Sequence, residues 1–166
     1  MKIFSIGHST RSFEDFVATL KQYGIDMVVD IRRFPGSNKF PHFSRESLEK
    51  SLPSQGISYV HFPDLGGFRK EGYAAFAHTR EFKDGVKKFL SVIKGKHAAM
   101  MCAEILWFRC HRRHVAEELT KLGHSVVHVY NKEKTQDHKS NDEYVKEKMG
   151  LGLFCDDKAE EFLESL

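Results

Sequence analysis

The chain has 166 residues, 40% of them hydrophobic, enough for one sizeable core and too few for two comfortable domains. Lysine and arginine outnumber aspartate and glutamate by 26 to 23, a formal net charge of +3, so bulk charge does not mark a nucleic-acid binder and any preference for anions must come from local clustering. Three cysteines, an odd number, argue against a disulfide framework, and no run approaches the roughly 18 apolar residues of a membrane span or the apolar core of a signal peptide, so a cytoplasmic protein without membrane contact is expected.

Lys2 to Ile6 is a short strand candidate. Phe13, Phe16, Val17, Leu20 and Tyr23 then repeat at helical spacing, with Ser12 as the cap and Gly24 as the stop. Met27 to Ile31 is nearly continuous and β-branched, the pattern of a strand covered on both faces, and Asp30 is its only polar interruption. Arg32 to Pro41 holds Pro35, Gly36 and Asn38 and reads as a loop, after which Ser44 can cap a short helix through Leu48 and Leu52 that Pro53 and Gly56 end. Ile57 to Phe62 is the third strand candidate and Pro63 to Gly67 a turn. The irregular stretch that follows has the length of a lid, and Phe82, Val86, Phe89, Leu90 and Ile93 mark the next helix, closed by Gly95.

His97 to Cys102 predicts a fourth strand. Val115, Ala116, Leu119 and Leu122 form the buried stripe of a helix ended by Gly123, and Ser125 to Tyr130 predicts a fifth strand. Lys132 to Lys139 has no apolar residue and reads as a solvated linker. A last helix near Asp157 to Leu166 is expected to dock Phe162 and Leu163 on the body. The predicted organisation is an α/β core over residues 1–130 and a polar linker with a helical extension over 131–166.

Strands alternating with helices predict a single three-layer Rossmann-like α/β domain with a mainly parallel sheet of about five strands. In such sheets ligands bind beyond the carboxyl ends of the strands, so residues just after each apolar run converge although they are far apart in sequence. Those residues are Gly7-His8-Ser9-Thr10, Asp30 to Arg33, His61 to Gly67 and Cys102 to Arg113.

Each group has a chemical reading beside a plain one. Gly7, His8, Ser9 and Thr10 precede a helix N-terminus, where backbone N–H groups favour phosphate, although Ser9, Thr10 or Ser12 can equally cap that helix. Arg32, Arg33, Arg112 and Arg113, with Gly66 and Gly67, complete an anion-binding set. Phe34, Phe40, Phe43, Phe68 and Trp107 lie near enough in sequence to stack a base, or else belong to the core. Asp30 is costly to bury unless paired with an arginine, and Glu104 is the candidate general base or ribose hydroxyl acceptor. Cys102, Cys110 and His111 are candidates for nucleophilic or proton-transfer roles, with Cys110 at a helix start where its thiolate is favoured. A zinc site is not expected: the spacing lacks a tight knuckle, and Cys110 and His111, adjacent on a helix, would point apart.

Ile6-Gly7-His8-Ser9-Thr10, Val29-Asp30-Ile31-Arg32, Phe34-Pro35, Leu65-Gly66-Gly67 and Cys102-Ala103-Glu104 with Cys110-His111-Arg112 together resemble the domain of unknown function 488 family, over about residues 2–130. The resemblance implies a small Rossmann-like fold and leaves the activity open. Val28-Val29-Asp30-Ile31-Arg32 and Met101-Cys102 also resemble the outline of rhodanese-like sulfurtransferases, which would imply persulfide chemistry at Cys102. The separation of Cys102 from Cys110 departs from that family's short cradle. The leading expectation is an enzyme acting on a phosphate-bearing small molecule or nucleic acid, with a non-catalytic nucleic-acid-binding module and a rhodanese-like sulfurtransferase as the alternatives. The sequence names no cofactor and no oligomeric state.

Overall fold

Short apolar runs become strands and the stretches between them become helices. The computed structural model describes residues 1–36 and 38–139, together with Tyr144, Glu147, Gly150 and Phe162. Strands β1 (Lys2–Gly7), β2 (Met27–Asp30), β3 (Ser58–His61), β4 (Ala98–Cys102), β5 (Ser125–Val129) and β6 (Thr135–Asp137) form one sheet in the order β3-β2-β4-β1-β5-β6. Every neighbouring pair is parallel except β5 and β6. Among the described residues the helices whose bounds are defined are α1 (Phe13–Gln22), α2 (Arg45–Ser51), α3 (Tyr73–Phe76), α4 (Arg80–Val92) and α5 (Arg112–Lys121). Ser12, Ser44 and Thr79 cap α1, α2 and α4 by accepting amide hydrogens of Asp15, Ser47 and Phe82, which satisfies donors that a helix start leaves free.

Alternation along the strands splits the core in two. Phe4, Ile6, Val28, Ala99 and Met101 pack with Phe16, Leu20, Leu48 and Leu52, so α1 and α2 cover one face. Ile3, Met27, Val29, Ala98 and Met100 pack with Phe82, Val86, Phe89, Val115 and Leu119, so α4 and α5 cover the other. The chain leaving β1 and β2 therefore turns to the first face, and the chain leaving β4, which lies between them, turns to the second. Such divergence of neighbouring strand ends is the switch point where α/β sheets form their ligand crevice.

The predicted three-layer α/β class is the observed one, with a sixth strand. Lys132 to Lys139 is not a free linker: Asn131 Oδ1 accepts the amides of Glu133 and Lys134, and the turn returns Thr135–Asp137 along β5. An antiparallel edge strand needs backbone pairing more than apolar side chains, so composition concealed it. The stretch expected to be a lid contains α3, whose Phe76 is buried and whose Tyr73 packs on the core. Phe162 packs with Phe108 and Tyr144 in a small third cluster, while the rest of the expected last helix lies outside the described residues.

Candidate functional site

Between the carboxyl ends of β1, β2 and β4 lies a cavity of about 570 Å³ lined by His8, Ser9, Thr10, Arg32, Phe34, Lys39, Phe40 and Glu104, among others. Its floor is set by close backbone packing. The amides of His8 and Ser9 donate to the carbonyls of Cys102 and Ala103 at 2.9 Å, and a Cβ on Gly7 would fall on the Glu104 carbonyl. Only glycine lets the chain leaving β4 pass this close to β1. Those two amides are therefore not free to hold phosphate. The first turn of α1 carries Glu14 and Asp15 under its Ser12 cap, which disfavours an anion there. Ser9 and Thr10 of this turn line the cavity.

One wall is a buried polar chain running across three strand tips. Asp30, fully buried, accepts Arg32 Nε on Oδ1 at 2.8 Å and Arg32 Nη2 on Oδ2 at 2.6 Å, and also receives the Tyr59 hydroxyl at 2.7 Å. Arg32 further donates through Nη2 to the Phe43 carbonyl at 2.8 Å and through Nη1 to His8 Nε2 at 3.1 Å. His8 Nδ1 in turn donates to the Ser9 carbonyl at 2.9 Å, and the ring stacks on Phe43 with centroids 4.2 Å apart. Burial first, and then the Arg32 charge, push the His8 pKa down to about 4, so the imidazole is neutral at pH 7, with its proton on Nδ1. Arg32 thus uses four of a guanidinium's five N–H donors on the protein. It positions His8 and has one donor left for a ligand. Phe43, like Trp107, is core rather than a stacking surface.

On the other side of β4 stands a second cluster. Cys102 ends the strand, and Cys110 and His111 follow a short 3-10 turn over Trp107–Arg109. Cys110 is extended (φ −107°, ψ 154°) and His111 turns into the start of α5 (φ −59°, ψ −18°), so their side chains meet instead of diverging. His111 Nδ1 lies 3.6 Å from Cys110 Sγ and 3.9 Å from Cys102 Sγ. Its Nε2 lies 3.3 Å from the Ile31 carbonyl, and its ring rests on Tyr73 at 5.0 Å. Burial opposes ionisation of Cys110, but the hydrogen bond from Cys102, the Arg112 charge and His111 outweigh it and hold its pKa well below the usual thiol range. Cys102, which donates that hydrogen bond and is itself buried, is pushed well up.

Arg112 does not line the crevice. It is fully buried, donates to Ser5 Oγ at 3.0 Å and to the carbonyls of Glu104 and Ile105, and leaves its Nε without a partner. Arg113 also lies elsewhere, donating to the Phe108 carbonyl at 3.1 Å and lining a flank hollow between α4 and α5. Gly66 and Gly67 do not line the cavity and are closely packed: a Cβ on Gly66 would sit 2.9 Å from the Arg33 amide nitrogen, and one on Gly67 3.3 Å from His111 Nδ1. Arg33 is exposed at the rim, 5.8 Å from the Phe34 ring. Glu104 reaches the crevice, with Oε1 accepting the Leu106 amide at 3.0 Å. Two participants escaped the sequence reading. Tyr59 shares the face of Asp30 through the β2–β3 register, a signal that alternation along Ile57–His61 could have given, whereas Tyr73 comes from an irregular stretch with none.

A small doubly wound α/β protein with a polar crevice at its switch point is thus the class that fold and site define. The family model for the domain of unknown function DUF488 matches residues 12–119, and the chain belongs to that family. None of the curated proteins matches. Among solved structures, the 1.40 Å crystal structure of a candidate phosphatase (DUF442) from Shewanella putrefaciens CN-32 is similar at 19% identity with a TM-score of 0.38, covering 70% of this chain and 66% of that one. The chain therefore spans just under two thirds of that protein's length. Among the described residues no helix is long and apolar enough to cross a membrane.

Proposed function

We propose that the crevice binds a phosphate-bearing substrate that carries a planar base, a nucleotide or a short single-stranded stretch of nucleic acid, and that the protein is an enzyme acting on it. The observation that carries this reading is a pair of exposed aromatic rings at the mouth. Phe34 is 69% and Phe68 85% exposed, with centroids 6.0 Å apart, two large apolar side chains that the core does not use and whose faces are open to a ligand. Cations stand beside aromatic rings that line the crevice: Arg33 is 5.8 Å from the Phe34 ring and Lys39 5.6 Å from the Phe40 ring. Aromatic faces interleaved with positive charge are the combination that stacks bases and tracks phosphates.

Backbone strain supports the same place. Among the described residues the two non-glycines with positive φ are Ser9 (49°) and Phe68 (57°), one in the crevice and one on its rim. Such conformations persist where the surroundings impose them and gather at functional sites. In this reading the proton is moved by Glu104, which accepts the Leu106 amide on Oε1, has Arg109 Nε 3.9 Å from Oε2 and is one-third exposed. A labelled single-stranded oligonucleotide and the nucleoside monophosphates, titrated against the wild type and a Phe34→Ala/Phe68→Ala variant, test the binding. The expected result is salt-sensitive binding that the variant weakens by about 1–3 kcal/mol per stacked base. Glu104→Gln is expected to keep binding and lose turnover. Absence of binding, or binding indifferent to the two rings, overturns the assignment, and binding without any turnover by the wild type leaves a recognition module in place of an enzyme.

A further inference from the structure

The thiol–imidazole cluster does not line the crevice, and its geometry asks for an occupant of its own. We propose that Cys102, Cys110 and His111 hold one thiophilic cation, zinc, with the fourth coordination position open. All three donor atoms lie within 4.8 Å of one another. Around a tetrahedral zinc with bonds of about 2.3 Å to sulfur and about 2.0 Å to nitrogen, sulfur and nitrogen stand about 3.5 Å apart and two sulfurs about 3.8 Å. The observed sulfur–nitrogen separations of 3.6 and 3.9 Å need only a few tenths of an ångström of adjustment.

The imidazole is already set for this role. In the tautomer with its proton on Nε2, 3.3 Å from the Ile31 carbonyl, Nδ1 turns a lone pair to the two sulfurs and gives it to the metal in place of the hydrogen bond to Cys110; a ring nitrogen fixed by a backbone carbonyl is the usual outer support of a metal-bound histidine. Gly67 keeps the approach clear, since a side chain there would stand against that nitrogen. Two sulfurs and one imidazole select a borderline-soft ion over magnesium or calcium, and three protein donors leave the position that catalytic zinc sites keep for a small ligand.

Charge points to the nature of that fourth ligand. Two thiolates neutralise a divalent ion, and any thiol proton displaced by the metal passes to solvent. The guanidinium of Arg112, buried nearby with no carboxylate within 4 Å among the described residues, then lacks a counter-ion. An anion at the open position, hydroxide or an acidic group, supplies one. Spacing alone conceals the site because its ligands come from a strand end and the far side of a loop instead of a knuckle.

The test uses the full reduced chain freed of metal and titrated with cobalt(II), then with zinc. One equivalent of cobalt is expected to give tetrahedral d–d bands with a thiolate charge-transfer band, all displaced by zinc. Cys110→Ser and the less buried His111→Gln are each expected to weaken uptake by at least about tenfold. Cys155→Ser, at the third cysteine, is expected to leave it unchanged. No bands at one equivalent, bands that survive both Cys110→Ser and His111→Gln, or bands lost only in Cys155→Ser overturn the proposal. None of these readouts involves oligonucleotide or nucleotide, so this site and the crevice reading fail separately.

Discussion

The crevice wall and the thiol cluster sit on opposite sides of one strand, each built around a buried arginine, and the two arginines are treated differently. Arg32 is matched by Asp30 in a two-point ion pair closed by Tyr59 and His8. Arg112 has a hydroxyl and two carbonyls, an unbonded Nε, and no carboxylate partner among the described residues, while its charge acts on the thiols of Cys102 and Cys110. A buried charge that is fully matched makes a rigid wall. One that lacks its match marks a place where a ligand can complete the balance.

Breaking the matched side gives the largest expected effect. In Asp30→Asn an amide N–H₂ would face Arg32 Nη2 and the Tyr59 hydroxyl in place of a carboxylate oxygen, leaving a buried guanidinium without its counter-charge. Removing one partner of a buried pair costs about 3–5 kcal/mol, measurable as a lowered denaturation midpoint in urea. Cobalt uptake by the folded fraction should be unchanged. If it falls together with stability, the two sides of β4 are one cooperative site and the comparison fails.

The sequence shows the strand tips well and the pairing of their charges poorly. Apolar runs ending near Gly7, Asp30, His61 and Cys102 locate the carboxyl rim, and the observed sheet brings those ends together. Sequence position does not say which arginine is matched: Arg32 follows β2 by two residues and Arg112 follows β4 by ten at the start of α5, and each stands beside polar neighbours. The difference depends on Asp30 facing the Tyr59 side of the sheet and on α5 burying Arg112 beneath the loop after β4. Cys110 and His111 were misread for a similar reason. Helical geometry begins at His111, one residue later than the pattern suggests, and an extended Cys110 changes where its sulfur points. Edge strand β6 was invisible because its stability lies in backbone hydrogen bonds.

A smaller effect sharpens the claim that the wall is locked in one protonation state. The His8 pKa of about 4 lies below its ordinary value of 6.5, so between those pH values the unfolded chain binds a proton that the folded protein refuses. Stability from this group is fully present above pH 6.5 and is lost as pH falls toward 4, by up to about 3 kcal/mol. His114 and His128 are also lowered, chiefly by burial, so neither curve alone isolates His8. The difference between wild type and His8→Gln does: urea midpoints measured from pH 7.5 to 4 should converge as the pH falls. Parallel curves would mean that His8 takes up its proton in place, with Arg32 moving aside.

The smallest change acts on the other side of β4 and on the ligand more than on the fold. Gly67 has no positive φ, so Gly67→Ala imposes no backbone strain, and its new methyl meets His111 Nδ1 at 3.3 Å, close enough to push the ring by a few tenths of an ångström. A displacement that small costs about 1 kcal/mol of stability or less. The ring, however, is held between Tyr73 and the Ile31 carbonyl and cannot retreat without turning its lone pair away from the sulfurs. Cobalt affinity should therefore fall about tenfold, the order seen when an outer support of a metal-bound histidine is lost, while oligonucleotide binding at the Phe34–Phe68 rim stays as it was. Equal losses in both measurements would show that the methyl acts through the loop shared by the two regions and not through His111.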